Sequence, residues 1–282
     1  MFGPFFTHQI LAPARDGLPS LLAGPLHTLA TIVSSQPALA NAGFAIIQIA
    51  LGVGLLTRRF TRLALGASIA WALMVWIAGE GLGGITTGAT IPMGAPGAAL
   101  IYAVIAILAW PTREEESRAR PSWLALPAWC ALWLMGALLQ LVGGNNSSMS
   151  LTMMLRNAQS SSPGWIAALD HRLSLLRIPT WAPAALIGLF ILIAMWSLVP
   201  GGVRRVAVAL GVVISLTSWL FFQGLGDLTS GQSTDPNSGP LVVLLAVAVL
   251  GASNPREIRR HPLDTLESSD TVVAPSLVES TR

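Results

Sequence analysis

A glycine-rich stretch occurs twice in this chain, and it limits the possible folds more than any other feature. Residues 76–97 read WIAGEGLGGITTGATIPMGAPG and residues 219–240 read WLFFQGLGDLTSGQSTDPNSGP, a shift of 143. Over the first thirteen positions six residues are identical, and four more pairs are close: Ile77/Leu220, Glu80/Gln223, Ile85/Leu228 and Thr87/Ser230. Composition alone would match about one position in thirteen. The expectation is a duplicated chain in which each half ends a helix on the same turn.

The chain around these turns is apolar. Its 282 residues are 53% hydrophobic and 10% charged, with a mean hydropathy of +0.65. A soluble domain carries roughly 25% charge, so the composition belongs in a lipid bilayer. All 16 basic residues are Arg, spread over the loops between apolar runs. The pI near 10.4 therefore reads as membrane topology and not as nucleic-acid binding. The single cysteine, Cys130, excludes an internal disulfide and a cysteine-based metal site. Residues 1–9 show no cleavable signal pattern.

Seven spans are expected, at residues 41–57, 62–79, 97–111, 122–142, 181–199, 203–222 and 240–252. One set of loops and the C-terminal tail hold 12 Arg; the other set holds 4, namely Arg15, Arg156, Arg172 and Arg177. Arg-rich loops stay in the cytoplasm. This puts the glycine-rich turns outside a bacterial plasma membrane and the C-terminus inside. The span at 122–142 has no partner in the first half. The reading is an all-α polytopic transmembrane bundle of two tandem four-helix-type repeats, the first lacking its first helix. On that reading either the true start lies upstream of Met1 or the protein has seven helices by nature. The units are residues 1–111, a cytoplasmic linker 112–121, a second repeat 122–252 and a disordered cytoplasmic tail 253–282. An even number of helices per unit implies parallel repeats.

Two further segments look like short helices lying in the outer interface. Residues 163–177 place Trp165, Ile166, Leu169, Leu173 and Leu176 on one stripe, with Asp170 and Arg172 off it. Residues 19–33 repeat the pattern with Leu21, Leu22, Leu29 and Ile32. The third span of each half is short, 15 residues at 97–111, or about 22 Å of helix against a hydrocarbon layer of about 30 Å. Paired short, Gly-interrupted segments in two halves point to a binding site. The turns are expected to fold over the outer mouth of the bundle.

Each candidate site residue has two readings. Glu80 ends the second span, its copy is Gln223, and Asp227 stands one turn later where the first half has Gly84. These are either polar contacts for a proton, cation or ligand, or caps at the water boundary. His27 and His171 share a repeat position; they read as ligands or proton carriers, or as interfacial side chains. Trp76 and Trp219 read as a platform for a quinone or other planar ligand, or as part of an aromatic belt. Trp110, Trp123, Trp181 and Trp196 fit that belt. The glycines follow a membrane helix and no Lys follows them, which rejects a nucleotide loop. Thr86 and Thr229 are placed to bond back to the turns. No metal-ligand spacing occurs, and the cofactor is left unassigned.

Residues 44–76, FAIIQIALGVGLLTRRFTRLALGASIAWALMVW, carry Gly54, Leu55, Leu56, Thr57 and Arg58 ahead of a second apolar run. This resembles the DoxX-like family of four-helix membrane proteins. The second half keeps only Arg205 and the spacing. The pattern W-x-x-x-[EQ]-G-L-G-x-[IL]-T-[TS]-G is similar to that of multipass proteins of actinobacteria. The resemblance implies a link to quinone-coupled sulfur oxidation, redox-stress complexes or cargo binding, and it carries over no catalytic residue. The first functional reading is an accessory or ligand-binding membrane subunit, with the lipid bilayer and a membrane protein as partners. A small-solute or proton-coupled transporter and a quinone-linked oxidoreductase component are the alternatives. An ionisable residue mid-span, usual in transporters, is absent from the seven stretches.

Overall fold

The computed structural model describes residues 20–111, 123–142, 145–160, 162–228 and 235–252. The linker at 112–121, the tail from 253, and Thr229 lie outside the described residues. The described residues form helices and no strand. In chain order the helices are α1 Ser20–Ser35, α2 Pro37–Leu56, α3 Thr61–Ala78, α4 Ala98–Leu108 and α5 Ala125–Leu141. Then follow α6 Ser148–Ala158, α7 Gly164–Leu175, α8 Ala182–Leu198, α9 Gly202–Phe221 and α10 Ser238–Ala252.

Each of the seven apolar stretches is helical. Three helices, α2, α3 and α9, are long and apolar enough to cross a membrane. The other four have 11 (α4), 17 (α5), 17 (α8) and 15 (α10) residues. Prolines set two of the starts. Pro37 lies in the first turn of α2 and Pro183 in that of α8, where the missing N–H costs nothing and the fixed φ suits a helix.

Helix α6 was not foreseen in the sequence. Its low mean hydropathy hides an amphipathic pattern: Leu151, Met154, Leu155 and Ala158 are buried, at the spacing of one helical face. Ser147 caps it by accepting the Ser150 N–H at 3.1 Å, which satisfies one orphan donor of the first turn.

Helix α7 occupies the segment read as a short helix of the outer interface. Trp165, Leu169 and Leu176 of its apolar stripe are exposed, while Asp170 is fully buried beside Ile166 and Ser174. A segment in contact with lipid turns its large apolar side chains outward, so the polar side becomes the one that packs. Burial raises the Asp170 carboxyl above its usual range, against the Ser162 hydroxyl that donates to it at 3.3 Å.

The core sits where α5 packs along α8 and under α9. Trp129 and Trp133, one helical turn apart on α5, meet edge to face at 5.6 Å, and Trp133 lies 5.4 Å from Phe190 of α8. All three are completely buried. Gly211 of α9 faces both indoles: a Cβ there would lie 2.6 Å from Trp129 and 2.8 Å from Trp133. Trp129 Nε1 donates to Ser197 Oγ at 2.9 Å. Helices α2, α3 and α4 form a second group, and α10 packs on both α4 and α5. By contrast, α2 buries none of its residues.

Candidate functional site: two left-handed turns

After α3, four consecutive residues take positive φ: Gly81 at 54°, Leu82 at 61°, Gly83 at 65° and Gly84 at 69°. After α9 the same happens at Gly224 (54°), Leu225 (58°), Gly226 (64°) and Asp227 (57°). Each is a single turn of left-handed screw. Glycine adopts this conformation freely, whereas a leucine in it costs roughly 1–2 kcal/mol. Such strain persists only where surrounding contacts impose it.

The contacts that impose it are alike in the two turns. Trp76 Nε1 donates to the Pro96 carbonyl at 2.7 Å, and Trp219 Nε1 donates to the Pro236 carbonyl at 2.7 Å. Gly83 lies so close under Pro96 that an added Cβ would overlap its carbonyl and come within 2.7 Å of Gly97 N. A Cβ on Gly226 would be 2.8 Å from the Pro236 carbonyl. Both indole N–H groups therefore clamp a loop back onto its own helix. Trp110, Trp123, Trp181 and Trp196 are exposed.

Glu80 follows the end of α3, as the sequence indicates, but its side chain serves the next helix. Oε1 accepts the Ala99 N–H at 3.0 Å, in the first turn of α4, where the helix dipole favours a negative group. A negative charge at the end of α3 is mildly unfavourable, and this contact offsets it. Oε2 is buried without a hydrogen-bond partner. Burial pushes the carboxyl up to about 7; the Ala99 N–H opposes this, the charge of Asp235 adds to it, and the Ala98 N–H opposes it again. Asp235 and Glu80 are also the charges that Tyr102 of α4 senses.

Gln223 joins the turns to each other. Its Nε2 donates to the Pro92 carbonyl at 3.3 Å, and its Oε1 accepts from Ser238 Oγ at 3.2 Å. Thus it spans from the first turn to the first residue of α10. On the facing side, Gly94 leaves room for Asn237: a Cβ there would be 3.0 Å from Asn237 Oδ1. Asp227 is half-buried, and burial raises its carboxyl. The charge of Asp235 acts on Glu80. Thr87, next to Thr86, bonds back to Gly84 O at 3.0 Å.

The far end of the first turn is held by α5. Asn145 Nδ2 donates to Gly88 O at 2.7 Å and to Leu139 O at 3.2 Å. Ile91 drops onto Gly136 of α5, where an added Cβ would collide with it. His27 and His171 are exposed on α1 and α7 and form no part of the turns. Comparison with protein-family models, curated proteins and solved structures finds no match for this chain.

Trp76, Glu80, Gln223 and Trp219, singled out in the sequence, lie at the turns, whereas Asn145, Asp235, Asn237 and Ser238 were not singled out. The signal for Pro96 and Pro236 was hidden by a change in loop length. The tryptophan-to-proline interval is 20 in the first turn and 17 in the second, so a constant shift of 143 does not align them.

Proposed function

We propose that this protein is a non-enzymatic multipass membrane subunit that holds a small ligand, or docks a membrane partner, at an extracytoplasmic lid made of its two turns. One observation carries the reading: both turns adopt the same costly left-handed conformation and pack against each other through Gln223. Strain kept at corresponding places marks a segment held for use. Glu80, Asp235 and Tyr102 would supply the polar contacts, and Trp76 and Trp219 the rigid frame.

The proposal includes the architecture of two parallel repeats. It is supported by the order of packing: α2 on α3 on α4 in one half, α8 on α9 on α10 in the other. Helix α5 is the extra element of the second half, and the uncovered α2 fits a first half without that helix. Membership of the DoxX-like family is proposed on residues 44–76 alone. The predicted topology is checked by labelling Thr86→Cys and Leu228→Cys, both at exposed positions, in a Cys130→Ser background. Both should react with an impermeant maleimide applied to intact cells. Labelling of one from outside and the other only from inside would end the parallel-repeat model.

For the ligand, a short-chain quinone is the first probe, because its head group accepts hydrogen bonds and its body is apolar. Saturating decylubiquinone should raise Tm by several degrees in the wild type, as binding to the folded state requires. The rise should shrink in Glu80→Gln. An unchanged Tm at saturation excludes the quinone. A proton-coupled role is the second reading, favoured by one feature: the Glu80 carboxyl takes up its proton near neutral pH.

A further inference from the structure

We infer that one water molecule resides between the first turn and helices α5, α9 and α10, as a fixed ligand of Trp133, Ser215 and Gln223. A small cavity lies there, lined among others by Ile91, Trp133, Ser215, Gln223, Ser238 and Val242. Its volume of about 10 Å³ is at the lower edge of what one water needs.

The chemistry of the lining points to the same occupant. Trp133 Nε1 and Ser215 Oγ are buried and have no hydrogen-bond partner among the described residues. Their residues are 0% and 3% exposed, with Gln223 at 8% and Ser238 at 4%, so bulk solvent does not serve them. An indole N–H only donates and a hydroxyl does both. A hydrocarbon filling the cavity would leave both groups unpaired, and buried polar groups are paired in native proteins. One water satisfies the set. It accepts from Trp133 Nε1–H, and it donates one hydrogen to Ser215 Oγ and the other to the second lone pair of Gln223 Oε1. Three partners are typical of a buried water.

The sites so joined lie on α5 and α9, and on the side chain that ties the second turn to the first. The water thus completes the contact between the turns and the core, whatever the turns bind. It follows that Gln223 has a role its copy Glu80 does not share.

The test uses full-length protein in nanodiscs with 15N-labelled tryptophan. The Trp133 indole N–H should show a cross-peak to a long-lived water. Ser215→Val, which places two methyl groups in the cavity, should remove that cross-peak and leave the other indole signals in place. A double-mutant cycle of Ser215→Ala with Trp133→Phe gives an independent reading. Each single change should lower Tm by about 2–6 °C, and the pair by less than the sum, since both lose the same bridge. Should Trp133→Phe fail to fold, the cross-peak in the unaltered chain still decides. No water cross-peak, together with a neutral or stabilising Ser215→Ala, overturns the inference; in that case the hydroxyl has turned back onto its own helix.

Discussion

Gly83→Ala is expected to destabilise the protein by about 2–6 kcal/mol. Two costs add: roughly 1–3 kcal/mol for a non-glycine residue held in the left-handed region, and about 1–3 kcal/mol for forcing a methyl into a filled space. The new carbon would overlap the carbonyl of Pro96, which is backbone and also the acceptor of the Trp76 N–H. Relief therefore requires breaking the clamp. Thermal unfolding in detergent should show a fall of at least about 4 °C, with lower folded yield. The control is Gly43→Ala on α2, where nothing lies within 4 Å of the added carbon. It should be neutral or stabilise by up to about 1 kcal/mol, given the higher helix propensity of alanine. Equal effects at the two sites would mean that the turn does not exist as described.

Glu80→Gln should change how stability depends on pH. The wild-type carboxyl is raised from 4.5 to about 7 in the folded state. Between those values the folded chain binds the proton and the unfolded chain does not, so stability falls as pH rises. The loss is fully developed above pH 7 and amounts to about 3 kcal/mol, from 1.36 kcal/mol per unit. Glutamine keeps an oxygen for the Ala99 N–H and cannot ionise. The variant should match the wild type near pH 4.5 and be more stable at pH 8. Asp170 and Asp227 are raised in the same direction, so a smaller residual slope is expected. Unfolding profiles of the two proteins that run parallel from pH 5 to 8 would show that Glu80 is not buried in its protonated form.

The helical segments were legible because long apolar runs bounded by turn residues need no long-range information. The turns were legible because their glycines recur in register with Trp76 and Trp219. What was not legible depends on direction. Nothing in the order of residues says that Glu80 reaches forward to α4, or that Trp129 and Trp133 face a glycine on α9. The interfacial stripe of Trp165, Leu169 and Leu176 was legible on α7, but the burial of Asp170 was not, because the order of residues does not say what packs on the polar side. Helix α6 was missed because its polar face diluted the average. Asp235 was missed because it lies in the part of the second turn where the two copies diverge.

The notch at Gly211 bears on how the molecule can move. Two rigid indoles rest against one spot on α9, so sliding that helix along its axis by even one residue drives a side chain into the rings. Piston-like travel is barred there.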